Sequence, residues 1–318
     1  MKANPYIRRH HHITLNVGGA QEDYDFHTKV LGLKSVKKTA LYDGEEPIHH
    51  LYYGNGTGDA STLVTTFPMR QSGRKARRGA GQISTLALSI PEQAYEFWND
   101  RLTEYGFGPK RQERFGEKLI AFGHPCGIEY ELVAAAADAR EPYSNGAVPS
   151  DYGIRGTHGI TVCIQDLEDT DEFMQMSWTG GQRQTDANYV RYEVGEGGSG
   201  TIVDLRVEPH TAQGSWAYGE GVTHHCAFEV DDLDIQKIVA FQLTGQGYTD
   251  VSDVKDRGYF DSIYVRMPGG ALFEAAVSKP LGFTVDEPAD HIGEVFQIPP
   301  AFAHRREELL GYLEKIVA

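Results

Sequence analysis

Four segments of the chain begin alike, and this internal repeat limits the possible folds more than any other feature. Each segment opens with alternating apolar residues, as a half-buried strand does. The four openings are HHITLNV from His11, ISTLALSI from Ile83, HGITVCI from His158 and HHCAFEV from His224. Stretches with helical spacing follow at residues 20–32, 91–107, 167–178 and 233–248, and about three strand-like runs follow each of these. Repeats of this length indicate copies of one supersecondary unit, so the sequence predicts four βαβββ modules.

The repeated unit defines the expected architecture. A helix packed on one face of a curved sheet leaves the concave face free to hold a ligand, and paired modules can form open barrels. A chain of 318 residues suits two domains of roughly 150 residues each. We therefore predict an α+β fold in which the four modules form two domains, with curved mixed sheets as open barrels and the helices outside.

A stretch rich in proline, serine and glycine, EPYSNGAVPSDYGIRG, divides the repeats into two pairs. The predicted domains are residues 1–140 and 157–290, and residues 141–156 are the predicted linker. Residues 291–318 form a predicted helical tail. Its apolar face carries Leu309, Leu310, Leu313 and Ile316. We expect this face to pack on the barrel, and a contact between subunits is the alternative.

Composition excludes several classes of function. The net charge of −15 argues against nucleic acid or an anionic membrane as a partner, because either would need a basic face. The dense basic run from Arg70 to Arg78 is expected to be a loop, either solvated or close to a ligand. Three separated cysteines, Cys126, Cys163 and Cys226, exclude a disulfide framework and a thiolate zinc cluster. Without a signal-like or membrane-spanning apolar stretch, we expect a cytoplasmic protein.

Three residues at related positions of the first and last modules suggest a metal centre. His12 and His225 lie in the opening strands of the two modules, and Glu274 lies in the last strand of the final module. Two imidazoles and one carboxylate are the ligand set of non-haem iron(II) oxygenases. Glu274 lies in the apolar run GGALFEAAV, where an unpaired carboxylate would cost several kcal/mol, so a nearby cation is expected. An ion pair with Arg257 or Arg266 is the alternative.

The number of carboxylates separates two chemistries. A glyoxalase-type isomerase has four protein ligands, but the first module offers only Thr65 and Thr66 where the second carboxylate would stand. The missing ligand favours an open site that binds O₂ over a Lewis-acid isomerase. A second metal site from His158 and Glu131 is a weaker alternative, because the second module has Ser84 where a histidine would be needed.

The residues beside these ligands are harder to orient. Strand alternation turns His11 and His224 away from the metal unless a β-bulge redirects them. A three-residue turn at residues 268–270 would place Tyr264 opposite Glu274. Thr14 shares a strand face with His12.

The chain resembles the vicinal oxygen chelate superfamily, and within it the ring-cleaving dioxygenases that open hydroquinones. The resemblance is carried by residues 11–39, 50–68, 200–216, 220–230 and 256–275. It implies an Fe(II) site formed by His12, His225 and Glu274, a small aromatic substrate, O₂, and a product of the maleylacetate type. It also implies a pocket lined by His11, Thr14, His224, Arg257 and Tyr264. We further expect a homo-oligomer.

Two other functions stay open from the sequence. One is a glyoxalase-like isomerase or lyase that uses zinc, nickel or manganese. The other is a metal-free protein that binds aromatic ligands.

Overall fold

The computed structural model describes residues 5–43, 46–179 and 183–318, and within these ranges all four predicted modules are present. Module 1 consists of β1 (His10–Val17), α1 (Ala20–Asp25, extended by a wide turn at Phe26–Val30), β2 (Lys34–Asp43), β3 (Glu46–Gly54) and β4 (Leu63–Pro68). Module 2 consists of β5 (Gln82–Ile90), α2 (Tyr95–Glu104), β6 (Lys110–Arg114), β7 (Glu117–Gly123) and β8 (Glu129–Ala134).

The second half of the chain repeats this order. Module 3 consists of β9 (Gly156–Ile164), α3 (Glu168–Phe173, extended by a wide turn at Met174–Trp178), β10 (Arg183–Asp186), β11 (Tyr189–Glu193) and β12 (Ile202–Val207). Module 4 consists of β13 (Val222–Glu229), α4 (Leu233–Gly245), β14 (Lys255–Asp256), β15 (Phe260–Arg266) and β16 (Leu272–Ser278). The last helix is α5 (Arg306–Tyr312). No helix in the described ranges is both long and apolar enough to cross a membrane.

The sixteen strands form two eight-stranded mixed sheets, and this confirms the predicted α+β class. One sheet has the order β14-β15-β16-β13-β1-β4-β3-β2, and the other has the order β10-β11-β12-β9-β5-β8-β7-β6. At the centre of each sheet the opening strands of two modules pair antiparallel, β1 with β13 and β5 with β9. The first sheet therefore joins modules 1 and 4, and the second joins modules 2 and 3.

This pairing joins modules from the two halves of the chain in each sheet. The stretch at residues 141–156 connects β8 to β9 within one sheet, so it does not separate the two sheets. The chain crosses between the sheets at residues 69–81 and again at residues 208–221. The limits 1–140 and 157–290 remain a prediction about domains, and each range contributes one module to each sheet.

The opening strand of module 1 is buried on both faces. All eight residues of β1 are buried. Its apolar side chains, Ile13, Leu15 and Val17, belong to the main hydrophobic core, which also contains Leu86 of the other sheet. Because strand residues alternate between faces, the polar residues His12, Thr14 and Asn16 share the opposite face. The strand thus carries a core face and a polar face that is also shielded from water.

The opening strand of every module contains one residue that is skipped in the central pairing. These residues are His11, Ser84, His158 and His224. Each is a β-bulge, which moves a side chain out of the regular alternation. The bulges show which residues are equivalent in different modules. The residue after the bulge is His12 in β1, which pairs with Ala227, and Gly159 in β9, which pairs with Ala87.

The tail lies against module 1. Leu309 and Leu313 are buried, and Ile316 packs against the main core, as predicted. Leu310 remains 42% exposed, so its predicted burial was wrong. The physical reason is that α5 is only seven residues long and buries a single narrow stripe. The carboxylate of Glu314 accepts hydrogen bonds from the first two backbone N–H groups of α1, those of Ala20 (2.8 Å) and Gln21 (3.3 Å).

We predict that Glu314→Ala lowers the free energy of unfolding by about 1 kcal/mol, the usual effect of losing a side chain that caps a helix. Urea denaturation monitored by circular dichroism measures this change. Glu307→Ala is the matched control, because Glu307 is an exposed carboxylate of the same tail. An equal loss in both variants would show that the contact with α1 contributes nothing.

Candidate metal centre

His12, His225 and Glu274 come together inside the first sheet, as the sequence predicted. Their ligand atoms lie within 4.8 Å of one another, and all three residues are buried. The two imidazole Nε2 atoms are 3.1 Å apart. Oε2 of Glu274 lies 3.0 Å from Nε2 of His225 and 3.7 Å from Nε2 of His12. These spacings suit three ligands on one side of a single metal ion, with bonds of about 2.0–2.2 Å.

The carboxylate of Glu274 provides the test of fit. Its Oε1 accepts a hydrogen bond from Ser262 at 2.5 Å, whereas the buried Oε2 has no hydrogen-bond partner among the described groups. Nε2 of His225 is close to Oε2 but is not aligned with it as a donor. An unpaired buried carboxylate oxygen is costly. A cation at the point where the three ligand atoms converge would remove this cost, so the residues fit a metal ion.

The alternative of an ion pair at Glu274 is not observed. Arg257 donates to the hydroxyl of Tyr264 at 3.0 Å. Arg266 donates to the carbonyl of Gly270 at 2.7 Å and to the hydroxyl of Tyr218 at 3.2 Å. Both guanidinium groups are therefore engaged elsewhere.

The two candidate imidazole ligands are suited to bind a metal because burial keeps them neutral. Burial lowers the pKa of His225 to about 3, and it lowers the pKa of His12 well below the ordinary value. A metal binds the neutral form of imidazole. A metal ion can therefore bind both imidazoles without first displacing a proton from an imidazolium.

The bulges bring His11 and His224 to the ligands, which alternation alone did not predict. Nδ1 of His11 lies 2.9 Å from Nδ1 of His12, and Nδ1 of His224 lies 2.7 Å from Nδ1 of His225. When each ligand binds a metal through Nε2, its Nδ1–H donates to the preceding histidine. Hydrogen bonds of this kind fix the orientation and tautomer of a ligating imidazole.

The two outer histidines face different sides. Nε2 of His11 contacts the hydroxyl of Ser278 at 2.8 Å, and neither residue lines the cavity of about 290 Å³ beside the candidate metal ligands. The ring of His224 stacks on Tyr218 with centroids 3.8 Å apart, and it lines that cavity. His224 thus faces the cavity, whereas His11 contacts His12 and Ser278.

Thr14 and Thr65 occupy the side of the site that lacks a carboxylate. The hydroxyl of Thr14 lies 2.9 Å from Nε2 of His225 and 2.6 Å from the hydroxyl of Thr65. Thr65 pairs with Thr14 across β4 and β1, as Glu274 pairs with Ala227 across β16 and β13. Thr65 is therefore the structural counterpart of Glu274, and the counterpart position offers no carboxylate.

Tyr264 and Arg257 form one side of the cavity mouth. Tyr264 pairs with Glu274 in the β15–β16 hairpin, as predicted. Burial raises the pKa of the Tyr264 phenol, which keeps it protonated. Because Arg257 donates to the Tyr264 oxygen, the phenolic hydrogen is free to donate to another oxygen.

A cavity of about 290 Å³ opens above the candidate metal ligands. Its lining residues are His12, Asn16, Leu41, Ile48, His50, Phe67, Met69, Tyr218, His224, His225, Arg257, Phe260 and Tyr264. One wall is apolar, whereas the other is formed by imidazole, phenol and guanidinium groups. The basic run from Arg70 to Arg78 contributes nothing to this lining; Arg70 instead pairs with Glu22 at 2.6 Å.

Several lining residues were not identified from the sequence. His50, Phe67 and Phe260 lie on strands that the repeat predicts. Their positions in the sequence do not match the spacing of the metal-ligand candidates, so nothing singled them out. The alternation of His50 with Tyr52 on β3 was the available signal, because it puts two polar aromatic residues on one face.

The second metal site considered from the sequence is not formed. His158 is a bulge residue, and the counterpart of the ligand His12 is Gly159. Glu131 is held by both terminal nitrogens of Arg114, at 3.0 and 2.6 Å. Alternation alone does not reveal the extra residue of the bulge, so the sequence did not show that His158 is offset from the position of His12.

A different buried cluster joins Asp23, His27 and His124. The backbone N–H of Cys126 donates to Nδ1 of His124 at 3.1 Å, so the proton of this imidazole is on Nε2, which lies 3.1 Å from Asp23. Asp23 also accepts hydrogen bonds from Tyr53 and from a threonine. The cluster is a saturated hydrogen-bond network, in contrast to the unpaired oxygen of Glu274.

We predict that the metal-free protein loses stability as the pH falls below about 6.5. Burial keeps the pKa of His50 well below its ordinary value and also lowers that of His49, so both histidines gain a proton on unfolding. The unfolded state then binds more protons, and each such histidine costs up to about 1.4 kcal/mol per pH unit below 6.5.

Urea titrations at pH 7, 6 and 5 measure this effect. His50→Gln should reduce the dependence of unfolding free energy on pH, whereas His291→Gln should not, because the His291 side chain is 59% exposed. The same pH dependence in wild type and His50→Gln would contradict the prediction.

Known proteins resemble this chain over nearly its whole length. The chain matches no protein-family model. It is 44% identical over 303 residues to a chlorohydroquinone/hydroquinone 1,2-dioxygenase of Sphingobium indicum, with 94% of each chain covered. It is 33% identical to MhqO of Bacillus subtilis, named as a ring-cleaving dioxygenase, with 94% of this chain and 93% of MhqO covered.

Solved structures extend the comparison. A crystal structure from Bacillus subtilis, named as a dioxygenase, superposes with a TM-score of 0.89 at 31% identity and 98% coverage of both chains. Glyoxalase I of Zea mays, at 15% identity, covers 85% of this chain and 92% of its own with a TM-score of 0.62, and it shares the fold alone. The chain therefore belongs to the ring-cleaving dioxygenases, and it shares its fold with glyoxalase I.

Proposed function

We propose that this protein is an iron(II)-dependent dioxygenase that cleaves the ring of a hydroquinone and yields a maleylacetate-type acid. The observation that carries the proposal is the three-ligand set of His12, His225 and Glu274 beneath an aromatic-lined cavity. Two histidines and one carboxylate on one side of an iron ion leave positions for substrate and O₂.

The substrate class is supported by the cavity and by the named activity of the Sphingobium indicum relative. The cavity volume of about 290 Å³ is small, and its aromatic and apolar walls suit one ring. The cytoplasmic location and the homo-oligomer remain predictions from the sequence.

Bound iron(II) would supply the one-electron chemistry that O₂ requires and would favour the ionised form of a phenol at the site. The protein groups around it act mainly as hydrogen-bond donors. His224 receives the Nδ1–H of His225, so its own proton is on Nε2, on the side that lines the cavity. Tyr264 also presents its phenolic hydrogen, because Arg257 donates to its oxygen.

These protonation states give His224 and Tyr264 the same role. As donors, His224 and Tyr264 stabilise negative charge that develops on oxygen during the reaction. His11 acts differently: it holds His12 in place by accepting its Nδ1–H. The hydroxyl of Thr14 lies beside Nε2 of His225 and shares a hydrogen bond with Thr65. We therefore assign charge stabilisation to the donor groups of His224 and Tyr264.

We predict that Glu274→Gln loses iron binding and hydroquinone-dependent O₂ uptake. The amide keeps the shape of the side chain but removes the negative charge, and the two neutral imidazoles cannot replace that charge. The loss should weaken metal affinity by at least about tenfold. Iron content after anaerobic reconstitution and oxygen-electrode traces measure the two effects.

Glu129→Gln is the control for this experiment, because Glu129 is a half-exposed carboxylate of the other sheet. It should retain iron and activity. Full iron content in Glu274→Gln would contradict the assigned ligand set. O₂ uptake by wild type that does not depend on any hydroquinone would contradict the proposed substrate.

We predict that Thr65→Glu retains the metal but loses O₂ uptake by at least about a hundredfold. The new carboxylate would stand where the pairing of β4 with β1 places the counterpart of Glu274, and it would close a position that the reaction needs open. Iron content and O₂ uptake are measured together, and Thr65→Gln serves as the control of similar size without charge. Unchanged O₂ uptake in Thr65→Glu would contradict the need for this open position.

A glyoxalase-like reaction gains no support from this geometry. The shared fold with glyoxalase I is compatible with it, but Thr65 leaves the ligand set one carboxylate short. A metal-free binding protein is also disfavoured, because the unpaired oxygen of Glu274 would then stay buried without a partner.

A further inference from the structure

Two polar groups in the lining of the cavity have no partner in the described part of the protein. These groups are Nδ2 of Asn16 and Nε2 of His50. Asn16 is 1% exposed and His50 is 9% exposed, so both side chains are buried. A buried donor without an acceptor costs roughly 1–3 kcal/mol, and two of them in one small cavity indicate that a ligand completes both.

The strand pairing places Asn16 and His50 in one row. Asn16 of β1 pairs with Phe67 of β4. Leu51 of β3 pairs with Thr66 of β4, so the next pair in that antiparallel ladder sets His50 beside Phe67. Asn16 and His50 therefore flank Phe67 on the same face of the sheet, and the rings of His50 and Phe67 are 4.6 Å apart.

This row lies beyond the candidate metal ligands. His12, Thr14 and Asn16 alternate along β1, and the hydroxyl of Thr14 contacts Nε2 of His225. Asn16 is one alternate position further on, about 7 Å along the strand. A six-membered ring with an oxygen bound at the metal can span this interval, and its opposite oxygen then reaches the row.

The neighbouring tyrosine sets the protonation of His50. The hydroxyl of Tyr52 lies 2.9 Å from Nδ1 of His50, and burial raises the pKa of this phenol well above its ordinary value. The protonated phenol donates to Nδ1, which leaves the hydrogen of the neutral imidazole on Nε2. Asn16 and His50 thus present two N–H donors.

We propose that Asn16 and His50 form a subsite that binds the ring oxygen farthest from the metal, and that this subsite selects rings with an oxygen para to the metal-bound one. The inference rests on the proposed function, and it adds how the ring is chosen. A hydroxyl oxygen has two lone pairs and can accept from both donors. A ring with hydrogen at that position leaves both donors unpaired, and polar groups left in this way reject a ligand strongly.

The test compares the affinities of hydroquinone and phenol for the iron-loaded protein by anaerobic titration calorimetry. Wild type should bind hydroquinone at least about tenfold more tightly than phenol. Asn16→Leu, which keeps the side-chain size, should weaken hydroquinone binding by about tenfold and change phenol binding by less than about twofold. His50→Phe should give the same pattern.

Ile48→Val is the matched control, because Ile48 lines the same cavity without a polar group. It should affect the two ligands equally. Thermal unfolding of the ligand-free variants separates binding from folding: Asn16→Leu should be at least as stable as wild type, because it removes an unpaired buried donor. Asn16→Leu decides the question if His50→Phe does not fold.

Equal weakening of hydroquinone and phenol binding in Asn16→Leu would overturn the subsite, and so would equal binding of the two ligands by wild type. The proposed reaction fails separately. If wild type binds hydroquinone selectively through these residues but consumes no O₂ with it, the dioxygenase assignment is wrong and the subsite stands.

Discussion

The antiparallel pairing of β1 with β13 is the contact on which the site depends. It joins the first and last modules, which are separated by about 200 residues of sequence, and it places His12 and His225 with their Nε2 atoms 3.1 Å apart. Glu274 joins them because β16 runs parallel to β13 within the same module. No ligand lies on a free loop. Ligands held by paired strands lose little flexibility when a metal binds, which is the arrangement that a defined coordination geometry needs.

Two parts of this arrangement could be predicted from the sequence for a clear reason. The repeat gives the same strand and helix periods four times, and so it predicts four modules even though each copy is weak. The candidate metal ligands then follow from equivalent positions in two modules and from an apolar strand that contains a lone carboxylate. Both signals are local, because each copy of the pattern consists of residues that are close together in the sequence.

Other parts could not be predicted, since they depend on contacts between modules. The pairing of module 1 with module 4 is a long-range choice, and the proline-rich stretch at residues 141–156 pointed to a different division. A β-bulge shifts the pattern by one residue, and alternation by itself cannot show where it occurs. For this reason the orientation of His11 and His224, and the assignment of His158, became clear only from the strand register. Asn16 and His50 stand out because each has a buried polar atom without a hydrogen-bond partner among the described residues. A sequence does not show which polar atoms lack partners.

The two sheets resolve the same electrostatic problem in different ways. Glu131 pairs with Ala87 as Glu274 pairs with Ala227, and Asp204 pairs with Thr161 as Thr65 pairs with Thr14. In the second sheet the guanidinium groups of Arg114 and Arg191 hold these carboxylates. In the first sheet one carboxylate is replaced by a threonine and the other faces two neutral imidazoles. A buried carboxylate requires a positive partner. In the second sheet arginine side chains provide that charge, whereas in the first sheet a metal ion bound by His12, His225 and Glu274 would provide it.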